Sequence, residues 1–160
     1  MQSWQVLSFG LVIAVFVVSF VMRGKLRGKA AEMYGNAMTS LRADVANGRR
    51  PDEGEPICIV AIERKMLSSK LYYVAITNRR VIVKLAGGDT RSFDRSQVQL
   101  AIRAKTFADV GNMQTTYSRG WELAVALPDR TSYKWRVYDQ AEGLPEHAQH
   151  VQALVGQLAA

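Results

Sequence analysis

The spacing of hydrophobic and polar residues changes three times along the chain. Residues 1–22 contain no Asp, Glu, Lys or Arg, and residues 4–22 are almost continuously apolar. A helix of this length spans roughly 28 Å at 1.5 Å per residue, which is close to the hydrocarbon thickness of a bilayer. A helix also satisfies its own backbone hydrogen bonds, as lipid demands. The pattern therefore predicts a transmembrane helix over residues 1–22.

A cleaved signal peptide is the alternative interpretation of this segment. Signal peptides begin with a basic stretch and end in a small-residue cleavage site, whereas residues 1–3 carry no Lys or Arg and a basic run follows the apolar stretch. We therefore expect a retained anchor. The positive-inside rule places the N-terminus outside and the rest of the chain in the cytoplasm. The basic run consists of Arg23, Lys25, Arg27 and Lys29.

Positive charge is concentrated next to the predicted anchor. The chain has 21 Lys or Arg and 14 Asp or Glu, a net charge of +7. Residues 23–50 hold seven of these basic side chains and only two of the acidic ones. A polybasic stretch at a membrane attracts anionic lipid by about 1 kcal/mol per side chain. We expect its main role to be fixing the topology, with lipid contact as a by-product. The remainder is nearly balanced, which argues against binding of nucleic acid.

The pattern becomes helical after the basic run. Apolar residues recur at intervals of three and four between residues 29 and 47, which is typical of one face of an amphipathic helix. Asn47 and Gly48 favour an end of the helix there. Residues 49–56 contain two prolines and a glycine and predict a linker. We therefore predict a basic juxtamembrane stalk over residues 23–50 and a folded domain over residues 51–160.

From Ile57 onward the hydrophobic period changes to two. Short runs of alternating apolar and polar residues are typical of antiparallel strands with one buried face. The polar residues 104–118 predict a long loop. Apolar residues at helical spacing between Leu144 and Leu158 predict a C-terminal amphipathic helix. Seven strands are predicted, at residues 57–62, 70–76, 79–85, 90–93, 97–103, 121–127 and 133–137.

Seven antiparallel strands followed by one helix resemble the pleckstrin-homology-like fold, an open barrel closed at one end by the helix. Residues 72–83, Tyr-Tyr-Val-Ala-Ile-Thr-Asn-Arg-Arg-Val-Ile-Val, are similar to the second and third strands of bacterial pleckstrin-homology domains. The resemblance covers residues 55–159 and implies a mainly β fold and a bacterial source. Tyr72 stands where lipid-binding eukaryotic members place the last Arg of a basic motif, which argues against specific phosphoinositide recognition.

Five basic residues of the domain are the candidates for contact with a lipid or a protein partner. Arg79 and Arg80 form the sharpest basic pair, and one interpretation is that the whole set lines one end of the barrel and meets phosphate groups there. The interpretation that we favour is that the two arginines are structural and pair with Asp or Glu, as surface arginines often do. The set is Lys65, Lys70, Arg79, Arg80 and Lys84.

The remaining motifs of the sequence do not indicate a metal site or a catalytic site. His147 and His150 are three residues apart on the predicted helix, but a metal site needs a further convergent ligand, so we expect no metal and no cofactor. The single cysteine, Cys58, lies in an apolar run and is expected to be a buried hydrophobe. The sequence contains no serine-hydrolase elbow, phosphate-binding glycine loop or zinc-protease motif, and we predict no enzymatic activity.

The sequence thus predicts a single-pass protein of the cell membrane with a cytoplasmic, non-catalytic pleckstrin-homology-like domain on a basic stalk. We expect this domain to recruit or scaffold a protein partner at the inner membrane surface. The alternatives are a sensor of anionic lipid head groups, acting through the barrel end and the stalk, and an accessory subunit of a membrane transport complex. Small barrels serve many functions, so this step is an analogy from the fold.

Overall fold

The structure, a computed structural model, describes residues 28–65, 68–111 and 114–158. The predicted transmembrane helix over residues 1–22 lies outside these residues, as do Arg23, Lys25 and Arg27. Lys29 is described and is exposed near the beginning of the first described helix. Within the described residues, the helices are too short or too polar to cross a bilayer.

The described chain contains seven antiparallel strands: β1 Ile57–Arg64, β2 Ser69–Ile76, β3 Arg80–Leu85, β4 Thr90–Asp94, β5 Gln99–Gly111, β6 Gln114–Ala126 and β7 Ser132–Val137. They form one sheet in the order β4-β3-β2-β1-β7-β6-β5. Two up-and-down meanders, β1–β4 and β5–β7, meet where Ile62 pairs with Arg136. No pairing among the described residues joins β4 to β5, so the sheet is not closed. The domain is mainly β and pleckstrin-homology-like in general shape.

Two helices cover the sheet. Helix α1 occupies residues 28–46 of the described chain, and α2 spans His147–Leu158. Both lie where helical spacing of apolar residues predicts a helix. A short 3-10 turn, Arg95–Gln97, connects the two meanders.

The main hydrophobic core lies between the inner face of the sheet and α2. Val74, Leu123 and Trp135 are fully buried on this face. Helix α2 adds Val151 and Leu154, which are also fully buried. Leu123 and Trp135 belong to alternating positions of the sequence, so the period of two correctly predicts which face of β6 and β7 points inward.

The opposite face of β1–β3 packs against α1. Leu41 is 0% exposed, and together with Met38 and Val45 it contacts Tyr73 of β2. Strands β1 and β2 therefore bury residues on both faces, which explains why their sequences are continuous apolar runs rather than clean alternations. Cys58 is buried in this second cluster, as expected from its position in such a run.

The prediction of a long loop over residues 104–118 is wrong. Strands β5 and β6 have 13 residues each and pair continuously until Gly111 meets Gln114, so the segment is mostly a long hairpin. Most of its residues face solvent on both sides of the ladder. Since neither face is buried along its length, the sequence lacks the alternation that identifies a half-buried strand. Val110 and Tyr117 are each 74% exposed.

Candidate functional site

The turn between β2 and β3 contains the predicted arginine pair. The backbone N–H groups of Arg79 and Arg80 donate to Thr77 Oγ1 at 3.1 and 2.8 Å, which shapes the turn. The same hydroxyl donates to Glu53 Oε1 at 2.6 Å. Arg80 Nε and Nη2 each lie 2.9 Å from one of the two carboxylate oxygens of Glu53. Bidentate, charge-assisted pairs of this kind are among the strongest hydrogen bonds in proteins.

Burial makes the pair of Arg80 and Glu53 a structural one. The side chain of Glu53 is 0% exposed and that of Arg80 is 13% exposed. The hydrogen bonds from Arg80 lower the pKa of Glu53 to about 2, although burial opposes this shift. Arg80 Nη2 also donates to the carbonyl of Val45, in the last turn of α1, at 3.0 Å. We call Glu53, Thr77, Arg80 and the Val45 carbonyl the stalk lock, because they join α1, the linker and the sheet.

Arg79 is more exposed than its neighbour. Its guanidinium pairs with Asp52, and the two side chains are 50% and 54% exposed. Asn78 donates to the carbonyl of Asp52 and accepts from the N–H of Gly54, both at 3.0 Å. The polar residues of this turn thus bind the segment that precedes β1. This arrangement matches the structural interpretation of the arginine pair, in which both arginines form ion pairs with carboxylates.

The predicted basic residues occupy three separate places. Lys84 Nζ lies 2.9 Å from Asp44 Oδ2 and 2.7 Å from Ser40 Oγ of α1. Lys65 and Lys70 flank the turn between β1 and β2. That turn and the one that contains the arginine pair lie at opposite ends of β2, about 25 Å apart at 3.3 Å per residue. The five residues therefore do not line one end of the sheet, and their contact with a lipid or a partner stays a prediction.

A second basic group, which the sequence patterns did not identify, lies on the outer face of β5–β7 and at the end of β1, opposite the core. Arg103 and Lys105 both contact the carboxylate of Glu122. Arg64 and Arg136 both contact that of Asp109, the latter at 2.8 Å. We call these residues and Lys134 the outer basic cluster. Its members are Arg64, Arg103, Lys105, Lys134 and Arg136, with Asp109 and Glu122 between them.

Positive charge is in excess in the outer basic cluster. Five cations surround two carboxylates, which leaves a net charge of +3. Hydrogen bonds from Lys105 and then Arg103 lower the pKa of Glu122, so this carboxylate is ionised. Lys134 has no ion-pair partner within the described part of the chain. A cavity of about 300 Å³ opens among Arg64, Lys105, Lys134 and Arg136.

Phe107 anchors the hairpin beneath this cavity. Its ring is 4% exposed, and the Arg136 guanidinium lies 4.5 Å from the ring centroid. The ring of Tyr138 meets it edge-on at 5.8 Å. Gly120 leaves the room for this packing, since a Cβ there would lie 2.8 Å from the carbonyl oxygen of Val137. The cations of β5 and β7 are therefore held in one relative position.

The two histidines of α2 bind the free edge of β1. The Val60 N–H donates to His147 Nε2 at 2.9 Å, and the Cys58 N–H donates to His150 Nδ1 at 3.4 Å. In the described chain β1 pairs with β7 only at Ile62, so the two N–H groups have no strand beside them. Burial lowers the pKa of both histidines. No group of three metal-ligating side chains is present in the described ranges.

A second cavity, of about 280 Å³, lies between α1, the segment before α2, and β1. Arg42 and Glu146, which line it, pair at 2.7 Å. Cys58 lines it as well. Burial raises the pKa of the Cys58 thiol, which keeps the group protonated and weakly nucleophilic at neutral pH. The arrangement suits packing of α1 against α2 better than covalent chemistry.

No protein-family model matches this chain, and neither a curated protein nor a solved structure matches it. The general shape of the fold and the geometry of its charged groups therefore carry the functional argument.

Proposed function

We propose that this chain is a single-pass protein of the cell membrane whose pleckstrin-homology-like domain is a non-catalytic module that binds a protein partner at the cytoplasmic surface. The uncharged segment 1–22 and the basic run that follows it support the anchor and its orientation. The stalk lock is the observation that carries the proposal, because it makes the stalk part of the domain.

The attachment of α1 has both an apolar and an ionic component. Leu41 is fully buried against the sheet. Lys84 pairs with Asp44 of α1 at 2.9 Å, in addition to the contact between Arg80 and Val45. A helix held in this way is not a flexible tether. It supports a domain that keeps one orientation relative to α1, and so presents a defined surface to a partner in or at the same membrane.

The edge of β5 is the surface that best suits such a partner. Strand β5 pairs with β6 alone in the described chain, so its other side presents unpaired backbone groups that accept an added strand. Val110 and Tyr117 lie on one face of the hairpin and are largely exposed. We expect the partner to contribute an extended segment along β5, with apolar side chains on the face of Val110 and Tyr117.

Lipid recognition by the five predicted basic residues has less support. Arg80 and Lys84 hold Glu53 and Asp44, and Lys65 and Lys70 lie at the far end of β2 from the arginine pair. An accessory subunit of a transport complex is compatible with the proposal, since it would use the same edge of β5.

The anchor is tested by comparing the full chain with a variant that lacks residues 1–22 in washed cell membranes. We expect the full chain to resist extraction at alkaline pH and the truncated chain to be released. External protease should leave the domain intact in sealed cells. Extraction of the full chain, or digestion of the domain from outside, would overturn the anchored cytoplasmic arrangement.

The partner surface is tested by photo-crosslinking of the full chain in its own membranes. A photoreactive residue is placed at Ala108 in β5 and, as the matched control, at Ser92 in the opposite edge strand β4. We expect one defined protein adduct at Ala108, formed through an extended segment of the partner, and loss of this adduct in the Val110→Ser/Tyr117→Ser variant. Equal adducts at both edges, or an adduct that survives the double substitution, would contradict the proposal.

A further inference from the structure

We propose that the outer basic cluster is a binding site for an anion of the phosphate class. The site lies on the domain itself and goes beyond the proposed function, since it requires neither the anchor nor a protein partner. Its ligand is a phosphate or a phosphate monoester, supplied either in solution or by a lipid head group. The cavity of about 300 Å³ among Arg64, Lys105, Lys134 and Arg136 is its location.

The charge balance of the cluster favours a multiply charged ligand. Each carboxylate is shared between two cations, Asp109 by Arg64 and Arg136, and Glu122 by Arg103 and Lys105. The remaining charge of +3 is concentrated on one face of four adjacent strands, β1, β7, β6 and β5. A phosphate dianion neutralises more of this charge than a carboxylate does, and its oxygens accept hydrogen bonds from several donors at once.

The cations of the site are held in place before a ligand arrives. Asp109 and the ring of Phe107 fix the guanidinium of Arg136, and Glu122 fixes Lys105. Preorganised donors bind more tightly because less conformational entropy is lost on binding. The donors also reach solvent, since the side chains of Arg64 and Lys105 are 41% and 42% exposed. A ligand can therefore contact them without any rearrangement of the sheet.

Substitution of Lys134 distinguishes a binding role of the outer basic cluster from a structural one. It is exposed and has no ion-pair partner among the described residues, so its removal should not disturb the fold. Arg119 provides the matched control. Arg119 is exposed and likewise has no ion-pair partner in the described chain. It lies on the face of the β5–β6 hairpin opposite the outer basic cluster, since it pairs with Thr106. Lys134→Ala and Arg119→Ala change the net charge equally.

The experiment titrates the full chain in a neutral detergent at constant ionic strength and follows its unfolding temperature. One arm adds inorganic phosphate, and the other adds phosphatidic acid to the micelles, with phosphatidylcholine as the reference. We expect the unfolding temperature to rise with at least one probe. We expect Lys134→Ala to weaken the binding about tenfold, the effect of losing one charge-assisted hydrogen bond, and Arg119→Ala to leave it unchanged.

The two arms identify the source of the anion. A response to inorganic phosphate indicates a soluble ligand, and a response to phosphatidic acid alone indicates a lipid head group; either supports the site when Lys134→Ala reduces it. The proposal is overturned if neither probe raises the unfolding temperature of the wild-type chain. It is also overturned if Arg119→Ala and Lys134→Ala weaken the response equally, since this indicates general charge screening.

Discussion

The turn between β2 and β3 and the outer basic cluster are both rich in basic residues, but they differ in the number of carboxylates that the fold brings to them. In the turn, Arg79 has Asp52 and Arg80 has Glu53, so each cation has its own partner. In the cluster, five cations share Asp109 and Glu122. The comparison indicates that basic residues are available to a ligand only where the fold brings too few carboxylates to pair with all of them.

The largest expected effect comes from breaking the stalk lock. Arg80→Ala should lower the free energy of unfolding by about 3–5 kcal/mol, because it leaves the buried Glu53 carboxylate without its partner. Arg79→Ala is the control within the same turn, and its half-exposed pair should contribute less than about 1 kcal/mol. Denaturant unfolding of both variants measures the difference. Equal losses in the two variants would show that burial does not distinguish the two arginines.

The same pair predicts a stability loss in acid. The pKa of Glu53 is lowered to about 2 from an ordinary value of 4.5. Its contribution to stability is therefore complete above about pH 4.5 and is lost as the pH falls towards 2, because the unfolded state then binds a proton that the folded state resists. In Glu53→Gln this part of the pH dependence should disappear. A wild-type slope in that variant would assign the acid sensitivity to other groups.

The apolar contacts of α1 with the sheet should contribute slightly less to the free energy of unfolding than the stalk lock does. Leu41 is 0% exposed, and Leu41→Ala should destabilise the chain by about 2–5 kcal/mol through lost contacts and a cavity. Met33, which is 60% exposed on the same helix, provides the control, and Met33→Ala should change stability by less than about 0.5 kcal/mol. Similar effects of the two substitutions on unfolding would mean that α1 does not pack on the sheet.

The histidines of α2 predict a second, milder pH dependence. Burial lowers the pKa of His147 and His150 below the ordinary 6.5. The folded state thus prefers the neutral rings, so stability is complete above about pH 6.5 and declines as the pH falls below that value. Neighbouring Arg42 also lowers the pKa of His150, while Glu146 raises it.

His147→Gln tests this dependence. The substitution should cost about 1 kcal/mol or less at neutral pH, because the amide oxygen of Gln accepts from the buried N–H of Val60 in place of the ring nitrogen. It should also reduce the decline in stability between pH 7 and 5, measured by denaturant unfolding. Gln152→Ala, at an exposed position of α2, should keep the wild-type decline. An unchanged pH profile in His147→Gln would exclude His147 as its source.

The smallest expected effect on stability is that of Lys134→Ala in the outer basic cluster. In buffer without phosphate, Lys134→Ala should be as stable as the wild-type chain or more stable by a few tenths of a kcal/mol, because it reduces repulsion within the outer basic cluster. Thermal unfolding at low ionic strength gives the largest signal, since salt screens the interaction. A clear loss of stability in Lys134→Ala would show that Lys134 makes a stabilising contact in the fold. It would then be a structural residue like Arg80.

Much of the fold follows from local patterns in the sequence. The period of two places Leu123 and Trp135 in the core, and the helical period places Val151 and Leu154 against them. The part of the β5–β6 hairpin over residues 104–118 does not follow in this way. Its cross-strand ladder is stabilised by backbone pairing and by the buried side chain of Phe107, and these leave no periodic signal.

The candidate site was harder to predict than the fold, because its residues come together only in three dimensions. Arg103 and Lys105 alternate along β5, as Lys134 and Arg136 do along β7, which is a weak signal for a shared basic face. The approach of Arg64 from the end of β1 has no local signature. His147 and His150 have a spacing that metal ligands also show, but nothing in the sequence indicates that backbone N–H groups of β1 donate to them.

The central claim is that the stalk lock joins α1 to the sheet, because the buried Glu53 fixes the Arg80 side chain that donates to the carbonyl of Val45. A double-mutant cycle with Arg80→Ala, Glu53→Ala and the combined variant tests it most directly, with the free energy of unfolding as the measured quantity. We predict that each single substitution costs about 3–5 kcal/mol and that the double variant loses little more than either one. Losses that simply add would contradict the claim, because they would show that the two side chains do not interact.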